Sequence, residues 1–275
     1  MNKLYLLFAF CLIYTCVCSQ NTVEKIHFES ANPYSFNDVI TDLDSQEKQS
    51  VFGELVIPND TIDDGRKYPL VIGVAGSLGW GEHHYKYLKM YQEMGIATFE
   101  LNSFKSRGIT STVGTQNEIT MAAMILDAYR AFETLAEHPK IDKDRVSITG
   151  WSLGGGVTLF SAWLPLKEAI NKELSFASHL AYYPPCFINP DNTEFSKAPI
   201  HILIGELDNW TPSTPCLDLV DKLKPNTDIN LTIYKDSYHS FDRDAPLIRN
   251  ENAYNFSECV FRLDEKGNVL MNYFN

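Results

Sequence analysis

The chain has 275 residues, a formal net charge of −12 and 44% hydrophobic residues. This composition is that of a globular protein and excludes a disordered or fibrous chain. The acidic balance disfavours duplex nucleic acid as a partner, and the length is sufficient for one large domain with its own core.

The first 20 residues have the pattern of a targeting signal. Lys3 is their only charged residue, the residues after it are almost wholly apolar, and small residues follow at Cys18 and Ser19. A basic start, a short apolar run and small residues at the exit are typical of a secretory signal peptide. We therefore expect residues 1–19 to be removed and the mature chain to be secreted or periplasmic. A membrane anchor, or a lipoprotein lipidated at Cys16 or Cys18, is the less favoured alternative.

From residue 21 onwards, strand-like runs alternate with amphipathic helical stretches. Strands are predicted over residues 51–58, 69–76, 95–101, 145–150, 176–183, 199–205 and 229–235, and helices over residues 82–94, 117–137, 153–164 and 214–223. The strands at 69–76 and 199–205 are continuously apolar, which is typical of a parallel sheet with helices on both faces. Residues 255–263 and 269–274 flank a glycine turn and predict a C-terminal β-hairpin. The pattern predicts a single α/β domain over residues 20–275.

The strongest functional signal is the run Gly150-Trp151-Ser152-Leu153-Gly154. It follows a predicted strand directly and precedes a predicted helix, which is the context of a nucleophile elbow. Glycines are needed on both sides of the serine because side chains there would clash in so tight a turn. The helix N-terminus favours negative charge that develops at Ser152. The pattern predicts Ser152 as a catalytic nucleophile; the alternative is a glycine-rich turn without catalysis.

A carboxylate and a base follow in the chain order of an α/β-hydrolase triad. Asp208 comes after the apolar strand 199–205, and His239 comes after the strand 229–235. Both side chains are thus expected at the carboxyl edge of a parallel sheet, where the ligand sites of open α/β proteins lie. Asp208 and His239 are therefore the predicted acid and base, with Glu206 as the alternative acid.

An oxyanion hole requires two backbone N–H groups near the nucleophile. They are predicted at Leu153, which follows the nucleophile, and at Ser77, in the loop after an earlier strand. The glycines of neither loop have the Gly-x-Gly-x-x-Gly spacing, so we expect no nicotinamide or flavin cofactor. His83 and His84 are adjacent and point in different directions, and no other spacing typical of metal ligands occurs, so we expect no metal.

Further motifs occur in order between about residue 51 and residue 242. Residues 102–108 read Asn-Ser-Phe-Lys-Ser-Arg-Gly, residues 183–186 read Tyr-Pro-Pro-Cys, and residues 204–212 and 238–242 surround Asp208 and His239. Together with the glycine-rich elbow, these segments resemble the dienelactone hydrolase family of α/β-hydrolases. The resemblance implies an α/β-hydrolase fold with a mostly parallel central sheet and helices on both faces.

The chain departs from the family pattern at three points. Ser152 stands where the founding members have cysteine, as in a secreted-type branch; the oxyanion loop begins Ala-Gly at residues 75–76 rather than His-Gly; and no helix follows the C-terminal hairpin. The resemblance implies that Arg107 holds a substrate carboxylate or shapes the pocket, with a structural ion pair as the alternative. Trp210 is a candidate for lining the acyl pocket or the core.

Three cysteines remain after residue 19: Cys186, Cys216 and Cys259. The first two follow strands expected to be neighbours in the sheet, so we expect a Cys186–Cys216 disulfide at the catalytic edge, with two free thiols as the alternative. Cys259 has no obvious partner and the final helix is missing. We therefore expect a truncated copy of the domain, with a shortened variant that dimerises as the alternative.

The residues together predict a secreted serine hydrolase that cleaves a carboxylic ester or lactone through an acyl-enzyme. The partner is a small-molecule substrate, and no cofactor, nucleic acid or stable membrane span is expected. Two alternatives stay open: a serine peptidase on the same triad, and a binding protein with a hydrolase fold but no activity.

Overall fold

The computed structural model describes residues 21–58, 65–252 and 254–271; the predicted signal peptide lies outside these ranges. The strands are β1 (Thr22–Ala31), β2 (Lys48–Ile57), β3 (Tyr68–Val74), β4 (Ala97–Leu101), β5 (Ile141–Trp151), β6 (His179–Tyr182), β7 (Ile188–Pro190), β8 (Ile200–Gly205), β9 (Ile229–Tyr234), β10 (Phe261–Leu263) and β11 (Val269–Met271). The helices are α1 (Phe36–Thr41), α2 (Glu82–Glu93), α3 (Ser103–Ser106), α4 (Met121–Ala136), α5 (Leu153–Phe160), α6 (Leu164–Ile170) and α7 (Ser213–Leu223).

Eight strands form one sheet in the order β1-β2-β4-β3-β5-β6-β8-β9. From β4 to β9 all neighbouring strands are parallel, whereas β2 is antiparallel to both β1 and β4. Every residue of β4 is buried and nearly every residue of β3 is. Because successive side chains point to opposite faces of a sheet, both faces must be covered. The predicted α/β architecture is confirmed.

Local sequence effects shift several predicted boundaries. The helix expected from residue 117 begins at Met121, because the Thr120 hydroxyl accepts the Ala123 N–H at 3.1 Å and caps the first turn. The helix expected over 153–164 ends at Phe160 as α5, and a separate helix, α6, begins at Leu164 with Pro165 in its first turn, where the missing N–H costs nothing.

β1 was not predicted from the sequence. It pairs along its whole length with β2 at the edge of the sheet, and most of its side chains are exposed or half-buried. A polar edge strand lacks the continuous apolar run by which the inner strands were identified. The short helices α1 and α3 also went unpredicted.

The predicted C-terminal hairpin is confirmed: β10 and β11 pair antiparallel, and Gly267 has φ +84° in the turn. The turn rests on α1, where Asn37 donates to the Lys266 carbonyl at 2.7 Å. The hairpin also extends through a parallel pairing of β10 with β7, which the sequence did not indicate. Among the helices described, none has both the length and the apolar composition to cross a bilayer.

Candidate active site

Ser152 lies in the tight turn that joins β5 to α5. Its backbone has φ +56° and ψ −115°, a strained conformation for a residue with a side chain. A Cβ atom at Gly150 would lie 2.1 Å from the carbonyl oxygen of Gly154, and one at Gly154 would lie 2.2 Å from that of Val74. Both glycines are therefore required by close backbone contacts. The turn leaves the Ser152 side chain half-buried at the carboxyl edge of the sheet.

The structure brings together the three side chains that the chain order suggested. His239 Nε2 lies 2.9 Å from Ser152 Oγ, and His239 Nδ1 lies 2.7 Å from Asp208 Oδ2. The Asp208 side chain is fully buried, whereas 11% of the His239 side chain is exposed. The alternative acid, Glu206, is exposed and accepts the backbone N–H of Asp236 at 3.0 Å. Asp208 is thus the carboxylate that contacts the imidazole.

The Asp208 carboxylate is held by four donors. The backbone N–H groups of Trp210 and Thr211 each donate to Oδ1 at 2.9 Å, and the Thr211 hydroxyl and His239 lie within hydrogen-bond distance of Oδ2. A buried carboxylate whose lone pairs accept this many hydrogen bonds is held in one orientation. Thr211 was not among the residues predicted from the sequence; the Asp-x-x-Thr spacing, which favours a side-chain-to-backbone turn, is the signal that could have found it.

The loop that carries Ser77 lies against the elbow. A Cβ atom at Gly76 would be 3.0 Å from the Trp151 carbonyl oxygen and 3.3 Å from Ser152 Cβ. The loop is closed by a bond from the Gly79 N–H to the Gly76 carbonyl and is tied to the chain further on by the bond from Thr112 N–H to Ser77 O, each 2.9 Å long. Within the described ranges, the backbone N–H groups of Ser77 and Leu153 donate to no protein acceptor. The two predicted oxyanion donors thus have no protein acceptor in this part of the chain.

Arg107 makes a buried ion pair with Asp127 in α4. Its Nη1 and Nη2 lie 2.7 and 3.1 Å from the two carboxylate oxygens, and the two side chains are only 7% and 0% exposed. Its remaining N–H groups donate to Asn32 Oδ1 and to the carbonyls of Ser103 and Ala31. A guanidinium has five N–H donors, and all of them are used here. Of the two alternatives for Arg107, the structure contains the structural ion pair.

Two aromatic rings pack beside the imidazole of His239. The Trp210 ring centroid lies 5.0 Å away, and the half-buried indole forms one side of the site. The Tyr183 ring lies 4.6 Å away and is tilted by 62°, so that its edge meets the imidazole. These contacts restrict how far the imidazole can turn.

The predicted disulfide joins Cys186 and Cys216, whose Cα atoms are 4.9 Å apart. It links the segment after β6, which includes Tyr183, to the first turn of α7, a few residues beyond Asp208. The bond therefore ties together two segments that contact His239. Cys259 is half-buried and carries a free thiol.

No group of three His, Cys, Asp or Glu side chains in the described part of the chain is arranged to hold a metal ion. The His83 and His84 rings, expected from their adjacency to point in different directions, are instead in contact, with centroids 3.8 Å apart. His84 Nδ1 accepts the Gly81 N–H at 3.1 Å and serves as part of the N-terminal cap of α2. Burial, aided by the neighbouring His83 and Arg243, lowers the pKa of His84 to about 3, so this imidazole stays neutral.

Solved structures of hydrolases share the fold of this chain. One, from Klebsiella pneumoniae subsp. pneumoniae and provisionally assigned as a dienelactone hydrolase, is 18% identical with a TM-score of 0.57, over 84% of this chain and 94% of the other. An esterase of Pyrococcus furiosus is 16% identical with a TM-score of 0.54, over 80% and 85% of the two chains. An acylaminoacyl peptidase of Pyrococcus horikoshii is 18% identical with a TM-score of 0.55, over 80% of this chain but only 38% of the peptidase.

No curated protein sequence matches the chain. The profile of the dienelactone hydrolase family, by contrast, matches residues 90–258, a span that includes Ser152, Asp208 and His239. This span is more than half of the chain and extends from α2 to the segment before the hairpin. The chain is therefore a member of the dienelactone hydrolase family.

Proposed function

We propose that this hydrolase-family protein cleaves a carboxylic ester or lactone with Ser152 as nucleophile, His239 as base and Asp208 as the acid that orients His239. The observation that carries the proposal is the continuous hydrogen-bonded line from Ser152 Oγ through the imidazole to the Asp208 carboxylate, with distances of 2.9 and 2.7 Å. Nucleophile, base and orienting group within hydrogen-bond reach are the signature of an activated serine.

The proposed mechanism has two half-reactions. His239 Nε2 takes the Ser152 proton as Oγ attacks the ester carbonyl, and the oxyanion binds to the N–H groups of Leu153 and Ser77. The imidazolium then gives its proton to the departing alkoxide, which leaves an acyl-serine. In the second half-reaction His239 removes a proton from water as the water oxygen attacks the acyl carbonyl carbon; the bond from that carbon to Oγ then breaks, and Oγ takes the proton back from His239 as the carboxylic acid is released. Asp208 remains ionised throughout and stabilises the imidazolium.

The side chains around the site favour an uncharged acyl group as substrate. Trp210 offers an apolar surface next to His239, and Leu78, beside the oxyanion donor Ser77, is 54% exposed. Arg107, the residue that the family resemblance connects with a substrate carboxylate, has no free donor. We therefore propose a neutral ester or lactone as the substrate class.

A peptidase activity on the same triad is the second candidate. The structural likeness to an acylaminoacyl peptidase supports it, although this chain spans only 38% of that peptidase. Amide bonds need the same nucleophile and oxyanion donors as esters, together with protonation of a poorer leaving group. A direct comparison of matched ester and anilide substrates separates the two candidates.

We further propose that the protein acts outside the cytoplasm. The apolar segment of residues 1–19 supports export. The disulfide between Cys186 and Cys216 is compatible with an oxidising compartment.

The test is labelling with a fluorophosphonate, followed by mass spectrometry of the labelled peptide. We expect one adduct, at Ser152, and turnover of p-nitrophenyl esters that exceeds turnover of the matched p-nitroanilides. Ser152→Ala should abolish labelling and lower ester turnover by roughly 10⁴–10⁶-fold, since a triad acts as a unit. Circular dichroism of the variant controls for folding. Folded wild-type protein that neither labels nor hydrolyses esters would instead support the binding-protein alternative.

A further inference from the structure

The hydroxyl of Thr211 meets three polar atoms at the centre of the site. Its Oγ1 lies 3.0 Å from the Tyr183 carbonyl oxygen, 2.9 Å from Asp208 Oδ2 and 3.0 Å from His239 Nδ1. Thr211 itself is 4% exposed, so water does not compete for these contacts. A buried hydroxyl with three partners constrains which of them carries a proton.

A hydroxyl has one proton to donate and two lone pairs that accept. The Tyr183 carbonyl and the Asp208 carboxylate are both acceptors without a proton, so the single Thr211 proton is donated to one or the other of them. His239 Nδ1 therefore faces a lone pair of Thr211 Oγ1 and must itself carry a proton. If Nδ1 were unprotonated, its own lone pair would face two electron-rich oxygens at 2.7 and 3.0 Å.

The Nδ1–H tautomer is the one that leaves Nε2 free to accept a proton from Ser152. We propose that Thr211 is a positioning residue that acts with Asp208 to select this tautomer of His239 and to hold the imidazole plane. The bond from Nδ1 to Asp208 fixes one point of the ring, and a second acceptor at Thr211 further restricts the rotation about that bond that the Trp210 and Tyr183 rings already limit. This inference deepens the proposed function and rests on it.

Tyr183 supplies the fixed point to which Thr211 is attached. Its backbone has φ +39°, a conformation that is costly for a bulky residue and persists only where the surroundings enforce it. The Tyr183 N–H donates to the Leu203 carbonyl at 2.6 Å, its hydroxyl donates to Asp242 at 2.8 Å, and its ring packs against His239. The Tyr183 carbonyl is thus held in place and directed at the Thr211 hydroxyl.

The experiment compares Thr211→Val, which removes the hydroxyl at nearly constant shape, with Thr211→Ser, which keeps it. Ser213→Ala is the matched control, because Ser213 lies in the same segment and is half-buried, and its hydroxyl makes a long contact of 3.5 Å with the Glu206 carbonyl rather than with the triad. We expect Thr211→Val to lower kcat about 10–100-fold with KM changed less than about twofold, since a small misplacement of a catalytic group has an effect of this order. Thr211→Ser and Ser213→Ala should stay within about threefold of wild type.

A second readout, independent of turnover, is the protonation of His239 seen by ¹⁵N NMR of protein labelled at histidine. Wild type and Thr211→Ser should show the Nδ1–H tautomer, and Thr211→Val should show a growing share of the Nε2–H tautomer. Thr211→Ala serves for the same measurements if the valine variant does not fold. Normal kcat in Thr211→Val, a loss in Thr211→Ser equal to that in Thr211→Val, or an unchanged tautomer in a slow variant would each overturn the inference.

Failure of the proposed function would give results that differ from failure of the positioning role of Thr211. In that case wild-type protein shows no labelling at Ser152 and no ester turnover, whatever residue occupies position 211. The NMR tautomer of His239 still reports on Thr211, so a shift to Nε2–H in Thr211→Val supports the positioning role even then, and an unchanged tautomer contradicts it.

Discussion

Replacement of Arg107 by methionine should destabilise the fold and leave substrate binding unchanged. The pair with Asp127 has N–O distances of 2.7 and 3.1 Å, and its side chains are 7% and 0% exposed. Removing one partner of a buried pair leaves the other charge buried alone, at a cost of about 3–5 kcal/mol. This cost is a large part of the free energy of unfolding of a typical protein, which is roughly 5–15 kcal/mol. At about 2–4 °C per kcal/mol for a chain of this size, Tm should fall by roughly 6–20 °C.

The assay is urea unfolding followed by tryptophan fluorescence, together with KM for one neutral and one anionic ester. The double variant Arg107→Met with Asp127→Leu should recover much of the lost stability, because it removes both charges from the interior. Arg145→Met is the matched control: its partner Asp142 lies at the surface and the Arg145 side chain is 55% exposed, so stability should be unchanged. A stable Arg107→Met protein with a tenfold higher KM for the anionic ester alone would refute this reasoning and restore the substrate-binding role.

Two further predictions concern stability. Cys186 and Cys216 are separated by 30 residues, so reduction of the disulfide in a Cys259→Ser background should lower the free energy of unfolding by about 3–4 kcal/mol; equal urea midpoints with and without reductant would contradict this. Burial lowers the pKa of His179 from 6.5 to about 4. As pH falls, the unfolded chain therefore takes up this proton before the folded protein does. The contribution of neutral His179 to the free energy of unfolding is fully present above pH 6.5 and is lost as pH falls towards 4, by at most on the order of 3 kcal/mol. His179→Gln should flatten Tm against pH in that window, and an unchanged slope would be the contrary result.

Several parts of this protein were readable from the sequence because their determinants are local. The elbow depends on two glycines within two residues of Ser152: an added Cβ atom would lie 2.1 Å from the Gly154 carbonyl oxygen at Gly150, and 2.2 Å from the Val74 carbonyl oxygen of β3 at Gly154. The inner strands are continuously apolar because both faces of the sheet are covered. Asp208 and His239 follow adjacent parallel strands, so chain order alone places them at the same sheet edge. The same logic led to the pairing of Cys186 with Cys216.

Other parts depended on contacts between segments distant in the chain, for which the sequence has no local signal. The sequence is compatible with Arg107 binding a substrate or forming an ion pair. Its partner, Asp127, becomes apparent only when α4 packs against the segment that contains Arg107. The contacts of Thr211 with Tyr183 and His239 each span 28 residues and arise only when three loops meet at one edge of the sheet. The hydrophobic periodicity of a sequence indicates which side of a helix or strand is buried. The partner of a buried polar group, in contrast, depends on how the helices and strands pack together.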